Sequence, residues 1–133
     1  MQASKDKADR SVHVLLAEDN LVNQQLVVQL LEMRGHSVTL AANGHEVLAA
    51  LDKDSFDVVL MDVNMPEMDG YQTTAAIRER EKGRGRRVPI IAITGLTMTG
   101  DRERCLQAGM DAFLCKPLRS QELFAVVEAI GSA

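Results

Sequence analysis

The chain has 133 residues, of which 46% are hydrophobic and 26% charged, and its net charge is −4. These values are typical of one globular domain with a substantial core, and the negative charge disfavours nucleic acid as a direct partner. No apolar run approaches the roughly 20 residues of a membrane helix, so we expect no membrane contact by this domain and a cytoplasmic location. The two cysteines form no CxxC motif and indicate free thiols in a reducing compartment.

The N-terminal residues differ in character from the rest of the chain. Residues 1–11 are polar and lack periodicity, so we interpret them as a disordered lead-in, a linker or a cloning remnant. Residues 12–131 are expected to form one domain without internal repeats.

Short apolar runs bounded by turn residues predict five β-strands. They cover residues 13–17, 37–41, 58–61, 89–94 and 112–115. The first, third and fourth runs are unbroken, which is typical of central strands in a parallel sheet that is covered on both faces.

Apolar residues between the strands recur at the spacing of amphipathic helices. The first predicted helix begins after a cap at Asn20 and stops at Gly35. The others are predicted near residues 47–54, over 71–81 and 99–108, and from a cap at Ser120 onward. Strands that alternate with helices predict an α/β, doubly wound, five-stranded parallel sheet with right-handed crossovers.

Side chains suited to one reaction follow four of the apolar runs. Glu18 and Asp19 follow the first run, Asp62 follows the third, Thr94 ends the fourth, and Lys116 follows the fifth. Because the carboxyl ends of parallel strands lie along one edge of a sheet, these side chains can converge there. Each residue alone has a structural explanation, such as capping or strand propensity. Their joint occurrence at four run ends indicates a functional site.

Carboxylates gathered at one edge repel one another, by about 4 kcal/mol for two charges about 4 Å apart at an effective dielectric near 20. Either one carboxylate is protonated or a cation lies among them. Oxygen ligands in an open site suit Mg²⁺. Asp62 can then act as a nucleophile toward a phosphoryl group, while Lys116 and the Thr94 hydroxyl contact the phosphoryl oxygens.

At these residues the sequence resembles the receiver domains of two-component signalling, over about residues 12–130. The motifs that carry the resemblance are the acid pair Glu18-Asp19, the segment DVNMPEMDG that begins at Asp62, AITG with Thr94, and Lys116-Pro117. The segment EDNLVNQ, residues 18–24, is most similar to the receivers of hybrid sensor histidine kinases. The resemblance implies a flavodoxin-like receiver fold with strand order 2-1-3-4-5.

The resemblance also implies roles for individual site residues. Asp62 matches the phosphoacceptor and Lys116 the phosphoryl-binding lysine, whose bond to Pro117 would be cis. Asp19 and Asp62 match direct Mg²⁺ ligands, and Glu18 matches a ligand that acts through water. Asn64 would contribute its backbone carbonyl to the same ion.

The implied signalling depends on a switch and on a partner. Thr94 and Phe113 match a switch pair through which phosphorylation repacks the face made by the fourth helix, fifth strand and fifth helix. The implied partner is a histidine kinase or a histidine phosphotransfer domain, with Val22, Gln25 and Leu26 as candidate contacts. We expect a monomer or weak dimer, on the cytoplasmic side of the inner membrane if the parent chain is a hybrid kinase.

Two other functions stay open at this point. A Mg²⁺-dependent hydrolase of the haloacid dehalogenase type also uses an aspartyl nucleophile after a strand, but that family places an acid two residues later, where this chain has Asn64. A receiver that only binds proteins, independently of phosphorylation, is disfavoured by the intact site residues. A receiver would catalyse only its own phosphorylation and dephosphorylation, whereas its parent chain could be a histidine kinase.

Two further features of the sequence call for interpretation. Residues 78–87 contain six basic and two acidic side chains with two glycines, and we interpret this segment as a solvated connection rather than a docking patch. Gly95 follows Thr94 at a position where receiver domains more often have alanine, so we expect the loop after Thr94 to be looser.

Overall fold

The computed structural model describes residues 11–65, 67–95 and 98–131, with the backbone alone for residues 98–102. The predicted lead-in, apart from Ser11, lies outside these residues. The strands are β1 His13–Ala17, β2 Ser37–Ala41, β3 Val58–Asp62, β4 Ile90–Thr94 and β5 Ala112–Cys115. The helices are α1 Leu21–Met33, α2 Gly44–Lys53, α3 Gly70–Glu81, α4 Met98–Ala108 and α5 Ser120–Gly131.

The strands form one parallel sheet in the order β2-β1-β3-β4-β5. β3 lies at its centre, between β1 and β4, and all five of its residues are buried. The predicted doubly wound fold and strand order are therefore confirmed. The order reverses between β1 and β3, which is where α/β sheets of this kind open a crevice.

The sheet separates two apolar layers. On β1, Leu15 and Ala17 belong to one core cluster together with Ile77 of α3 and Cys105 of α4. The alternate β1 residue Leu16 belongs to the other cluster, which contains residues of α1 and α5. Side chains on a strand alternate between faces, so this alternation places α1 and α5 on one face and α2, α3 and α4 on the other.

Polar caps and glycines set several helix ends. The Asn20 side chain accepts a 3.0 Å hydrogen bond from the Asn23 amide, so the predicted cap of α1 is confirmed. Asp69 and Gln72 form a capping box at the start of α3. Gly35 follows α1 with a φ of 92°, in the left-handed region that glycine adopts without strain.

Several predicted boundaries shift by one residue. α3 and α4 each begin one residue earlier than predicted, β4 begins at Ile90, and β3 includes Asp62. Ser120 was expected to cap the last helix, but it is the first helical residue, and the Leu123 amide bonds to the Arg119 carbonyl. Periodicity locates the middle of a helix more accurately than its ends.

A charged cluster fastens the end of α1 to α5. The Arg34 guanidinium donates to both Glu128 carboxylate oxygens, at 2.8 and 2.6 Å, and lies over the Phe124 ring. The buried His36 side chain lies 2.9 Å from Glu128 through Nε2. Its Nδ1 accepts the Val12 amide hydrogen at 3.0 Å, so Nε2 carries the proton and donates to the carboxylate.

We expect Glu128→Gln to lower the free energy of unfolding at neutral pH by about 1–2 kcal/mol. The Arg34 hydrogen bonds outweigh burial and hold the pKa of Glu128 below its ordinary value, with His36 acting in the same direction. A lowered folded-state pKa stabilises the fold above the unfolded value of about 4.5, and the contribution is lost as pH falls further. Chemical denaturation at neutral pH and at pH values below about 4.5 should show that the free energies of unfolding of the wild type and the variant converge in acid.

The matched control is Glu122→Gln in the same helix. Glu122 is 61% exposed and lies 3.9 Å from Arg119, so its loss should change stability little. Equal losses in the two variants, or a Glu128 effect that persists undiminished in acid, would contradict a specific role for the cluster.

Candidate functional site

The side chains that were identified at the ends of four apolar runs lie together at one edge of the sheet. Asp62 is the last residue of the central strand β3, and it lies in register with Ile93 of β4, directly before Thr94. Glu18 and Asp19 directly follow the end of β1, which lies on the other side of β3. Lys116 follows β5, and its amide donates to the Thr94 carbonyl at 2.8 Å. The parallel topology therefore produces the predicted convergence.

Asp62 is a buried carboxylate with a fixed orientation. Its side chain is 2% exposed. Oδ2 accepts a 2.9 Å hydrogen bond from the Lys116 ammonium, and Oδ1 accepts one of 2.9 Å from the Asn64 amide. The Lys116–Pro117 peptide bond is cis, the isomer that the sequence resemblance implies. Asp62 thus lies beside a cation and a backbone donor at the end of the central strand.

The loop after Asp62 folds back tightly because residue 70 is glycine. The Gly70 amide donates to the Val63 carbonyl at 3.1 Å. A Cβ at residue 70 would lie 2.6 Å from the Asp62 carbonyl oxygen and 2.7 Å from Val63 Cα. Only glycine allows the first turn of α3 to approach the end of β3 this closely.

Glu18, Asp19 and Asp62 form a compact acidic cluster. One carboxylate oxygen from each lies within 4.8 Å of the others. Burial is the main cause that raises the pKa of Glu18 to about 7, and the charge of Asp62 and a hydrogen bond with it act in the same direction. The Asn20 amide and Lys116 oppose this rise. The cluster therefore carries unfavourable negative charge that one proton or a cation relieves.

The donor set fits a hard divalent cation. Its groups are carboxylate oxygens, and Asp19 is exposed while Glu18 and Asp62 are buried, so one side of the cluster is open to water. Mg²⁺ prefers a few carboxylates, a carbonyl and retained waters, which such a half-open group of oxygens can supply.

Thr94 and Phe113 lie on the same face of the sheet. Phe113 is in register with Ala92 on β4, two residues before Thr94, so the two side chains point to the same side. Thr94 is fully buried, and Phe113 is half-buried against the core cluster that contains Ala92. The two residues therefore share the face of the sheet that α2, α3 and α4 cover.

The candidate partner residues lie on the surface of α1. Val22 and Leu26 are 72% and 45% exposed, and Gln25 is also exposed. Helical spacing groups Val22 and Leu26 with Val27 on one apolar face of α1. The structure buries Val27 but leaves Val22 and Leu26 exposed. Leu21, 65% exposed, extends the exposed apolar surface and was not singled out from the sequence. In the sequence, the position of Leu21 directly after the acid pair and the helix cap could have indicated that it lies near the site.

Gln24 is a second residue that the sequence reasoning missed. Its side-chain amide donates to the Glu18 carbonyl at 2.6 Å, and the Asn20 amide donates to the Glu18 carboxylate at 3.1 Å. Gln24 therefore connects α1 to the loop that presents the acid pair. It lies within the segment EDNLVNQ, but its side-chain direction is visible only in the folded chain.

None of the helices in the described part of the chain has the length and apolar character needed to span a bilayer.

Comparison with known proteins identifies the family of this chain independently of the geometry of the site. The family model described as response regulator receiver domain matches residues 14–128. The sensor histidine kinase GacS of Pseudomonas protegens is 42% identical over 90% of this chain, and hybrid signal transduction histidine kinase I of Dictyostelium discoideum is 40% identical over 86%. The chain spans only 13% and 7% of these two relatives.

Solved structures show the same similarity. The receiver domain of sensor histidine kinase PA1611 from Pseudomonas aeruginosa is 41% identical, with a TM-score of 0.82 over 93% of this chain and 100% of that one. That structure has a magnesium ion coordinated in its active site cleft. The receiver domain of Ssk1 from Saccharomyces cerevisiae, crystallised with the histidine phosphotransfer protein Ypd1, has a TM-score of 0.88 over 95% of this chain and 92% of that one, at 28% identity. This chain therefore belongs to the response regulator receiver domain family.

Proposed function

We propose that the chain accepts a phosphoryl group on Asp62 from a phosphohistidine, as the receiver of a two-component phosphorelay within a hybrid sensor histidine kinase. The observation that carries this proposal is the buried Asp62 carboxylate, held 2.9 Å from the Lys116 ammonium inside an acidic cluster. The histidine kinases among the similar proteins support the hybrid origin. Residues 12–131 would form the complete receiver, which is consistent with the family match to 14–128.

In the proposed reaction, one Asp62 carboxylate oxygen forms a bond to phosphorus. The P–N bond of the donor phosphohistidine breaks, and the donor imidazole takes the electron pair of that bond. Lys116 places positive charge beside the oxygens of the transferred group, and the Thr94 hydroxyl would donate a hydrogen bond to one of them. These residues position the phosphoryl group and offset its charge, which are the main requirements of phosphoryl transfer.

We further propose Mg²⁺ as the cofactor. The carboxylates of Glu18, Asp19 and Asp62, with the Asn64 backbone carbonyl, would hold it. When bound, the ion supplies the positive charge that lets an anionic phosphoryl group approach the acidic cluster. The magnesium ion in the similar receiver from Pseudomonas aeruginosa supports this choice of metal.

Thr94 and Phe113 are proposed to transmit the phosphorylated state. As the Thr94 hydroxyl moves toward the phosphoryl group, the Phe113 ring would occupy the space that it leaves. The face made by α4, β5 and α5 would then repack between two arrangements, so that a local change in charge alters a surface.

The partner proposed is a histidine kinase or histidine phosphotransfer domain that docks on α1. Val22, Gln25 and Leu26 are exposed there, beside the loop that carries the acid pair. An exposed apolar patch next to a reaction site indicates an interaction surface. The similar yeast receiver was crystallised with a histidine phosphotransfer protein, which supports this class of partner. The domain itself is proposed to be a monomer or weak dimer.

A phosphotransfer assay separates this function from its alternatives. Incubation with a phosphorylated histidine phosphotransfer domain should move the phosphoryl group to this chain once per molecule. Continuous release of inorganic phosphate from small phosphate esters would instead indicate a hydrolase. Binding of the donor domain without any transfer would indicate a protein-binding module and would contradict the proposal.

We expect Gln24→Leu to weaken Mg²⁺ binding about tenfold, the lower range seen when a group that orients metal ligands is lost. The variant removes the 2.6 Å hydrogen bond that holds the Glu18 backbone. Titration calorimetry with Mg²⁺ measures the change directly. Gln25→Leu is the matched control because Gln25 is the exposed neighbour on α1, and equal affinities in the two variants would show that Gln24 does not position the acid pair.

A further inference from the structure

A cavity lies at the edge of the sheet opposite Asp62, and nothing in the proposed phosphotransfer uses it. Its volume is about 390 Å³, within the range of small-molecule sites. It is bounded by the ends of α2, α3 and α5, by the segment that leads into β3, and by residues 82–89, which we call the basic loop.

The floor of the cavity is apolar. Leu48 of α2, Phe56 before β3 and Ile77 of α3 line it, and all three belong to one core cluster. Leu51 and Val88 are partly buried against the same cluster and also line the cavity. A surface of this kind accommodates a flat apolar or aromatic group.

The rim of the cavity carries four arginines: Arg80, Arg84, Arg86 and Arg87. Arg80 pairs with Asp52 at 2.8 Å, and Arg87 pairs with Asp111 at 2.9 Å. Arg84 and Arg86 are exposed, and neither guanidinium makes a hydrogen bond or ion pair with any described residue. Two guanidinium groups at the rim are therefore available to a ligand.

The acidic residues at the rim are already engaged with the protein. Asp52 accepts from Arg80, and Glu81 accepts from Arg78 and from the Val88 amide, both at 2.7 Å. Asp54 and Asp57 accept backbone amide hydrogens at 2.9 and 2.8 Å. Acids and arginines line the cavity in equal number, but the carboxylates already accept hydrogen bonds from described residues. The guanidinium groups of Arg84 and Arg86 are therefore the charged donors that remain to bind an anion.

The basic loop holds its arginines in an open arrangement. Gly83 and Gly85 flank Arg84 with φ values of 79° and 69°, and a Cβ added at either would meet nothing within 4 Å. Packing therefore does not explain these glycines. Their left-handed conformation sets the direction in which the backbone carries Arg84.

We propose that this cavity binds a nucleoside phosphate, with its base on the apolar floor and its phosphate on Arg84 and Arg86. A guanidinium presents a planar fork of donors that matches a phosphate group, and such charge-assisted pairs are strong. The bound ligand would contact the segments that lead into β3 and β4, the two strands that end at Asp62 and Thr94. The site is independent of the proposed phosphoacceptor chemistry.

Amide-resolved NMR titration of the whole chain tests this proposal, with adenosine and guanosine monophosphates, adenosine and inorganic phosphate as probes. We expect saturable shifts in residues 48–57 and 77–89 with a monophosphate, and binding at least about tenfold weaker for adenosine and for phosphate alone. The double variant Arg84→Gln, Arg86→Gln should lose about tenfold or more in affinity. Both side chains are exposed, so unchanged melting should show that this variant is folded.

Arg119→Gln is the control for loss of an exposed arginine elsewhere on the surface. Arg119 is 81% exposed and precedes α5, away from the cavity, so this variant should bind as the wild type does. The proposal is overturned if neither monophosphate gives saturable shifts, if the shifts centre on Asp62, or if Arg119→Gln weakens binding as much as the double variant.

Discussion

Replacement of Lys116 by methionine is expected to slow phosphorylation of Asp62 by about 100-fold or more, the usual effect of removing a preorganised charge from a transition state. Methionine keeps much of the length of the side chain but not its ammonium, which lies 2.9 Å from Asp62 Oδ2. The phosphoryl oxygens would then lack that charge as the new bond forms. Initial rates with a phosphohistidine donor at saturating Mg²⁺ measure the change.

Lys53→Met is the control for loss of a lysine, because Lys53 is exposed and lies in α2. It should phosphorylate at the wild-type rate. Melting of both variants establishes that they are folded. A Lys116→Met protein that is folded and accepts phosphoryl groups as fast as the Lys53→Met protein would remove Lys116 from the proposed reaction.

Replacement of Gly70 by alanine is expected to lower the free energy of unfolding by about 1–3 kcal/mol, the range for overpacking a well-packed region. The new Cβ would lie 2.6 Å from the Asp62 carbonyl oxygen and 2.7 Å from Val63 Cα. Both are backbone atoms, so the end of β3 and the start of α3 must separate. Because this movement displaces Asp62, phosphorylation should also slow. Denaturant unfolding and initial rates measure the two effects.

Gly95→Ala provides the matched comparison. Its Cβ would lie 3.8 Å from the Lys116 side chain, an ordinary contact, and Gly95 is outside the left-handed region. The variant should be about 0.4–1 kcal/mol more stable because alanine reduces the freedom of the unfolded chain. If both alanine variants were equally stable, close approach at Gly70 would not be what holds the site together.

The fold was largely predictable because local pattern and topology agree. The runs at 13–17, 37–41 and 112–115 match β1, β2 and β5 residue for residue. Alternation of strands and helices then requires parallel strands, and parallel strands place Asp62 and Lys116 at one edge. Chemistry at strand ends is therefore visible in a sequence, since the backbone decides where those side chains lie.

Features that depend on side-chain direction were not predictable in the same way. The pattern in α1 did not distinguish the exposed Val22 and Leu26 from the buried Val27, because all three satisfy helical spacing. The contact of Gln24 with the Glu18 carbonyl depends on a side-chain rotamer. The need for glycine at residue 70 comes from backbone atoms that are close to it only in the folded chain.

The basic segment was interpreted from the sequence as a solvated connection, and no observation contradicts that interpretation. A run of arginines between a helix and a strand usually lies in solvent, and Arg84 and Arg86 are indeed exposed. Their position over an apolar cavity depends on α2 and on the segment before β3, which are distant in sequence. The sequence alone therefore could not predict that these two arginines lie beside a cavity.

The most direct measurement is the intact mass of the chain after incubation with Mg²⁺ and a small phosphodonor, for the wild type and for Asp62→Ala. The wild type should gain the mass of one phosphoryl group, the gain should require Mg²⁺, and Asp62→Ala should gain nothing. No gain in the wild type, or an undiminished gain in Asp62→Ala, would contradict the assignment of Asp62 as the phosphoacceptor.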